Sequence, residues 1–360
     1  MKSRDKLREE VLKVIKNETN CTIALTGSSG KTSIGLTHLS KVFNVKKKYL
    51  VVVPKLSVKQ SWIDDAYKFN FEYLLKNITF STYLSLNKQN SNYDWVYLDE
   101  IHNLTFKHNN WLNKNTSNVL GLTGTLPQNP KNIKRMLIDK YAPVKFTYTT
   151  DEAVNDNMLN DYQIIVHSLE LSDVKNIKKT KKDGTNYYLS EKDEYNYLTS
   201  RMALVNTKEA MKLGIIRMRY LQKLKSKESL AKQLLDNSKN KCILFCNTIE
   251  QSNRLCHWSY NTKNPKSETN LNYFKRGTID KLSCVEQLSE GINIPNLKEG
   301  IIMHFFSANS PKSKQKFYRL CRLLPTETAI LRILYYKDTI DEKNVIEGLK
   351  HLNQSKITWT

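Results

Sequence analysis

Three short stretches of this chain gather groups suited to handling phosphate. Thr26-Gly27-Ser28-Ser29-Gly30-Lys31-Thr32 follows an apolar run and opens Ser33–Val42, which has helical patterning. A strand, a glycine-bearing turn and a helix N-terminus together offer an anion backbone N–H groups and the positive end of a helix dipole. In that setting Lys31 reaches the outer phosphates of a nucleotide, and the Thr32 hydroxyl ligates Mg²⁺. Position 25, where the full loop pattern has a further glycine, is Leu25, so Gly27 is expected to supply the turn. The second stretch, Val96-Tyr97-Leu98-Asp99-Glu100-Ile101-His102, sets two carboxylates at the end of an apolar run. Beside a bound nucleotide, Asp99 suits holding Mg²⁺ and Glu100 suits orienting and deprotonating a water. In the third, Arg319 and Arg322 are three apart and share one face of a helix, which makes a clamp for charge developing on phosphate.

A further segment, Gly121-Leu122-Thr123-Gly124-Thr125-Leu126-Pro127, ends another apolar run. Small hydroxyl residues between glycines suit a switch that senses the carboxylate pair. The cysteines suggest nothing comparable. Cys242 and Cys246, with Cys256-His257 beyond, have a spacing that a metal site can use. They fall in an apolar, strand-like run, where buried thiols are the expectation.

Positioning these groups requires parallel sheets. Cys21–Thr26, Tyr49–Pro54, Trp95–Asp99 and Val119–Thr123 read as buried strands in the first half. Lys241–Cys246, Leu282–Leu288, Gly300–Phe305 and Ala329–Tyr336 read as buried strands in the second. Leu7, Val11, Val14 and Ile15 predict a helix within Met1–Asn17. Asp173–Ser190 is Lys-rich, with Asp183-Gly184 ahead of Tyr187-Tyr188, and reads as an exposed hairpin or loop. Glu191–Asp236 has helical periodicity. Two α/β units follow, with their boundary expected in or beside those helices.

The 360 residues carry 57 Lys+Arg against 35 Asp+Glu, a net charge of +22, and 39% are hydrophobic. That composition excludes collagenous, low-complexity and wholly disordered chains, and the charge points to a polyanionic partner. No run approaches the length of a membrane span, and Met1–Glu10 is charged and leads into no secretory signal. Six scattered cysteines do not make a disulfide framework. A reducing, cytoplasmic setting is expected, with no membrane partner.

The order of these motifs resembles that of superfamily 2 helicases and translocases, in the DExH-like branch, from about Leu7 to Tyr336. Ser28–Thr32 is similar to the family's nucleotide-binding loop, with Ser28 where Gly is usual. Val51–Lys55 (VVVPK) and Thr79–Leu84 resemble its next two motifs, and Asp99–His102 fits D-E-x-H. Leu122-Thr123-Gly124-Thr125 stands where Ser/Thr-Ala-Thr is usual. Ile243–Thr248 (ILFCNT) is similar to the first strand of the family's second domain, and Ser289–Pro295 to its EGxNxP motif. Gln315–Arg322 follows Q-R-x-G-R-x-x-R except at Lys316 and Tyr318. No adenine-reading Gln stands in Leu7–Val11.

The resemblance implies two RecA-like P-loop NTPase domains, each a mostly parallel sheet flanked by helices, with a helical connecting segment. The expected division is 1–170, a basic loop and helical linker at 171–236, and 237–360. ATP and Mg²⁺ are the implied cofactors. Gly27, Ser28, Ser29, Gly30, Lys31, Thr32, Ser33, Gly291 and Gln315 would hold the nucleotide, Thr32 and Asp99 the metal. Lys31, Asp99, Glu100, Arg319 and Arg322 would carry the chemistry.

Hydrolysis would then drive movement along nucleic acid, DNA rather than RNA, in single-stranded, forked or branched form. Pro54, Lys55, Thr82, Tyr83, Thr248 and Asn293 would touch the strand, mostly at phosphates and without reading bases. Lys208, Lys212, Arg217, Arg219 and Lys223 would extend the track or form a solvated helix face. Lys178–Tyr188, with lysines and stackable rings, would touch strands or stand as a surface loop. The size resembles minimal motors encoded by bacteriophages and mobile elements, which act in the host cytoplasm. A nucleotide-gated binding or loading protein with weak hydrolysis, or a duplex translocase or annealing remodeller, is the alternative.

Overall fold

The structure is a computed structural model of the whole chain and describes residues 3–90, 92–114, 118–127, 129–285, 294–305, 316–317, 320, 322–350 and 352–360. It divides into two compact units. The first is Met1–Asp161 with Lys314–Glu327, and the second is built on Tyr162–Ser289, Ile294–Ser313 and Thr328–Thr360.

The first unit is a parallel sheet of β1 (Asn20–Leu25), β2 (Tyr49–Val53), β3 (Ile78–Thr82), β4 (Trp95–Asp99), β5 (Asn118–Thr123) and β6 (Val144–Tyr148). Their order is β3-β2-β4-β5-β1-β6, with all neighbours parallel. Strands covered on both faces read as unbroken apolar runs, and every residue of β2 and β4 is buried. Helices α1 (Arg4–Val14), α2 (Lys31–Val42), α3 (Leu56–Lys68), α4 (Asn109–Lys114), α5 (Ile133–Tyr141) and α6 (Thr150–Asn155) accompany the sheet. Helix α1 forms where the Leu7 and Val11 spacing predicts one and buries both.

Packing at the centre is tight. A Cβ on Gly121 in β5 would strike Thr22 Oγ1 and the Ile101 side chain. Thr22 Oγ1 donates to the Ala142 carbonyl at 2.6 Å, so it has little room to yield.

The second unit holds β7 (Asp161–Leu169), a hairpin of β8 (Ile177–Thr180) and β9 (Asn186–Leu189), β10 (Cys242–Cys246), β11 (Ser259–Tyr260), β12 (Lys281–Val285), β13 (Glu299–Ile302), β14 (Thr328–Tyr336) and β15 (Ile357–Trp359). Its main sheet runs β11-β12-β10-β13-β14-β7-β15, with parallel register wherever pairing is resolved residue by residue. The helices are α7 (Glu191–Ala203), α8 (Thr207–Lys223), α9 (Lys225–Asn237), α10 (Ile249–Leu255), α11 (Ser267–Arg276) and α12 (Ile340–Leu349). Cys242, Cys246 and Cys256 lie in its apolar core, as expected of thiols in such a run. Burial pushes the Cys242 thiol up to about 12.

A charged cluster lies inside this core. Lys227 at the start of α9 bonds Asp341 at the start of α12, and His304 Nδ1 stands 2.9 Å from the other Asp341 oxygen. All three are essentially inaccessible to solvent. Ion pairs so enclosed are costly to break from one side only, so they pin the two helix starts to the end of the β13 segment.

Among the described residues no helix is long and apolar enough to cross a membrane. Replacing Gly121 with Ala should cost about 1–3 kcal/mol by overpacking. A urea melt of the variant reads this directly, and an unchanged midpoint would contradict the packing described.

Candidate nucleotide site

All the groups of the first unit singled out in the sequence meet at the carboxyl ends of its parallel strands. Chain direction makes this necessary, because the loop follows β1, the carboxylates end β4, and Gly124 follows β5. Ligands in open α/β sheets bind outside this edge.

The loop between β1 and α2 turns through left-handed backbone at Ser28 (φ 65°) and Gly30 (φ 89°). Ser29 Oγ ties it down by donating to the Thr26 carbonyl at 2.7 Å, and the Thr26 and Thr150 hydroxyls share a bond at 2.8 Å. Gly30 is the N-cap of α2 and offers no side-chain acceptor, and the first turn has no acidic residue. Ser33 Oγ instead donates back to the Gly30 carbonyl. The opening N–H groups of α2 are therefore uncapped by side chains and electrostatically suited to an anion.

Lys31 extends from this turn until its Nζ lies 3.8 Å from Glu100 Oε1. That gap exceeds a hydrogen bond, so the ammonium faces the carboxylate without being consumed by it. Gly124 lies close by: a Cβ there would stand 3.0 Å from Lys31 Nζ, the mobile end of that side chain.

Glu100 itself has φ 51°. The left-handed turn directs its carboxyl across to β5, where Gly124 N–H donates to Oε2 at 3.2 Å and Thr123 Oγ1 lies 3.4 Å away. His102 Nδ1 is 3.3 Å from the same oxygen and within reach of the Thr123 and Thr125 hydroxyls, at 2.9 and 3.1 Å. Burial pushes the Glu100 carboxyl up, but Lys31, His102 and the Gly124 N–H outweigh it and hold it below the usual carboxylate range. Asp99 goes the other way. Burial and the neighbouring Glu100 charge raise it to about 6, against the opposing bond from Trp62. Two adjacent carboxylates thus have their protonation set apart, as acid–base sites require.

Two residues hold Asp99: Trp62, which the sequence did not mark, and Tyr83, which it placed among the strand contacts instead. Trp62 Nε1 in α3 donates to Asp99 Oδ2 at 2.9 Å, and Tyr83 OH donates to the Asp99 carbonyl at 2.8 Å. Trp62 is fully buried, and an enclosed indole N–H needs an acceptor; that was the available signal.

Arg322 Nε donates to Ser28 Oγ at 3.1 Å, and both belong to the first unit. Arg322 lies in a turn, whereas Lys316, Phe317 and Leu320 before it are helical and buried. Gly291, Asn293, Gln315 and Arg319 lie outside the described residues.

Of the strand-contact candidates, Pro54 and exposed Lys55 follow β2, and Thr82 ends β3. The Tyr83 ring is buried and its hydroxyl is spent on the Asp99 carbonyl, so its side chain is not presented to a strand. In the second unit, Thr248 Oγ1 caps α10 by accepting from Gln251 N at 3.2 Å. Thr32 opens α2 as expected and is partly exposed. The donor set fits a magnesium nucleotide: uncapped N–H groups, one ammonium, one hydroxyl and a carboxylate pair.

Comparison with known proteins agrees with this geometry. Residues 2–128 match the family described as type III restriction enzyme, res subunit. No curated protein matches in sequence. Among solved structures, the chain is similar to the ATP-dependent type ISP restriction-modification enzyme LlaBIII bound to DNA, with a TM-score of 0.60 and 14% identity. That likeness covers 100% of this chain and 31% of the enzyme, so the chain spans about a third of its length. It is also similar to the Hef helicase domain of Pyrococcus furiosus, with TM-score 0.51, 14% identity and coverage of 95% and 98%. Dbp5 of S. cerevisiae, bound to RNA and ADP BeF3, gives 0.56, 13%, and 99% and 89%. The chain shares the fold of these structures, two RecA-like P-loop NTPase domains, each a mostly parallel sheet flanked by helices.

Proposed function

We propose that this chain is an ATP-dependent nucleic-acid motor of the DExH type that moves along or remodels DNA strands. The observation that carries the reading is Lys31 facing Glu100 at 3.8 Å, with Glu100 fixed by the Gly124 N–H and kept ionised. An ionised carboxylate beside an ammonium, both partly shielded from water, suits proton removal from a water attacking a phosphoryl group.

In this reading the turn at Gly27–Gly30 and the start of α2, including Ser33, cradle phosphates, and Lys31 neutralises charge on the outer ones. Thr32 and Asp99 hold Mg²⁺, which when bound supplies charge neutralisation for phosphoryl transfer. Arg322, beside Ser28, adds positive charge at the loop, and Arg319, Gly291 and Gln315 complete the nucleotide contacts. Thr123 and Gly124 feel the state of Glu100 directly.

Support for DNA comes from the match to a restriction-enzyme family and from a structural neighbour bound to DNA; another neighbour is bound to RNA. Pro54, Lys55, Thr82 and the Tyr83 backbone are the proposed strand contacts of the first unit and Thr248 that of the second, with Asn293 a further one. The β8–β9 hairpin is a further one. Its register pairs Lys178 with Tyr188 and Lys179 with Tyr187. Lys179 is spent on Glu194 at 2.9 Å, whereas Lys178 and Tyr188 are exposed. An exposed ring beside ammoniums suits an unpaired base and its phosphate.

Lys31→Ala and Glu100→Gln should each lower ATP turnover at least 100-fold in the presence of single-stranded DNA, with Glu100→Gln still binding ATP. Turnover unaffected by any single strand, duplex or fork would overturn the motor reading, and tight ATP-dependent binding with negligible turnover would replace it with a loading protein. Tyr188→Ala should weaken single-strand affinity about fivefold to tenfold and leave the unstimulated ATPase rate unchanged.

Asp99 supplies a pH test in the ligand-free protein. Because the fold raises its pKa to about 6, its protonated form stabilises the native state at low pH, and that contribution disappears as pH rises through about 6. Asp99→Asn stays neutral, so its melting temperature should gain on the wild type above pH 6 and converge with it towards pH 4. A constant difference across that range would refute the assignment.

A further inference from the structure

Opposite the nucleotide loop, at the amino ends of β2, β3 and β4, lies a cavity of about 480 Å³ lined by Lys46, Lys47, Lys48, Lys76, Asn90 and Asn92. Each of these residues precedes one of those parallel strands. The five residues of β2 place the cavity roughly 15 Å from the strand ends that bear Lys31 and Glu100. It is therefore not part of the nucleotide site.

The lysine turn is fixed from several sides. Asn44 N–H donates to Tyr49 OH at 2.7 Å, and Asn44 Oδ1 accepts from Lys46 N at 2.9 Å. Asn77 Nδ2, from the opposite wall, donates to the Val45 and Lys47 carbonyls at 2.9 and 3.2 Å. Lys48 and Asp94 are joined twice: Lys48 N donates to Asp94 Oδ2 and Asp94 N to the Lys48 carbonyl, both at 2.9 Å. This leaves the turn backbone held while four lysines line one cavity. Among the described residues none of them has an ion-pair partner, and Asp94 is engaged by backbone. Neighbouring like charges repel one another, and a multivalent anion relieves that repulsion.

We propose that this cavity binds an oligophosphate, two or more linked phosphates held by Lys46, Lys47, Lys48 and Lys76, with the Asn90 and Asn92 amides as neutral donors. Its volume falls within the range of small-ligand sites and exceeds the needs of a single phosphate. The linked phosphates belong either to a nucleic-acid backbone or to a free polyphosphate. The proposal stands apart from ATP hydrolysis.

The test uses the full chain carrying Lys31→Ala, which weakens the loop as a competing anion site, with inorganic tripolyphosphate as the probe in calorimetry. Adding Lys46→Gln and Lys76→Gln should weaken tripolyphosphate at least tenfold. The control pair Lys107→Gln and Lys131→Gln removes equal charge from exposed positions elsewhere and should leave binding within twofold. A single-stranded oligonucleotide forms the second arm. If its affinity falls with the first pair alone, and its salt slope drops by roughly one to two, the bound phosphates are those of a nucleic-acid backbone. If only tripolyphosphate responds, the ligand is a free anion. No tripolyphosphate binding, or equal losses in both pairs, would overturn the proposal. The lysine side chains are solvent-facing and the turn is held by backbone, so unchanged thermal melts should accompany both pairs.

Discussion

An ammonium and two neighbouring carboxylates share one partly dry strand edge, and the first unit is arranged around keeping them apart but in view. Left to themselves, Lys31 and Glu100 would close to a salt bridge and Asp99 would ionise or protonate with its neighbour. The surrounding groups prevent both. Gly124 N–H and the Thr123 hydroxyl hold the far oxygen of Glu100, and the 3.8 Å gap to Lys31 remains. Trp62 and Tyr83 hold the side chain and carbonyl of Asp99 from α3 and the β3 end. Gly121, by admitting Thr22 and Ile101 against β5, lets the strands bearing these groups lie side by side.

The same parallel order gives the unit two chemically distinct ends. Carboxyl ends collect the phosphate loop, the carboxylates and Arg322; amino ends collect the lysine turn and its cavity. The two ends are built differently. One relies on backbone N–H groups at a helix start, the other on side-chain ammoniums over a braced turn.

What could be read from sequence tracks how local each feature is. Strands β2, β4 and β10 announce themselves as apolar runs, and the loop, carboxylate pair and hairpin turn each lie within a few consecutive residues. The buried thiols followed from the same patterning. Strands β6 and β7 carry alternating rather than continuous burial, and β15 pairs with β7 across most of the chain, so neither period nor neighbourhood marked them. The site divides in the same way. Lys31, Asp99 and Glu100 were legible as types and spacing. The Trp62 and Tyr83 bonds were not, because a helical Trp reads as core packing until a partner is seen, and Tyr83 reads as a strand contact until its ring is seen buried against Asp99. The Arg322 bond to Ser28 spans 294 positions and depends wholly on tertiary folding.

Ser28 and Glu100 both adopt left-handed backbone that residues with a Cβ disfavour. Each side chain offsets that strain with contacts of its own: Ser28 Oγ accepts from Arg322, and the Glu100 carboxyl accepts from the Gly124 N–H and faces Lys31. Glycine at either position would relax the turn and forfeit those contacts. Local backbone comfort is thus exchanged for reach across the fold, at two points of one strand edge.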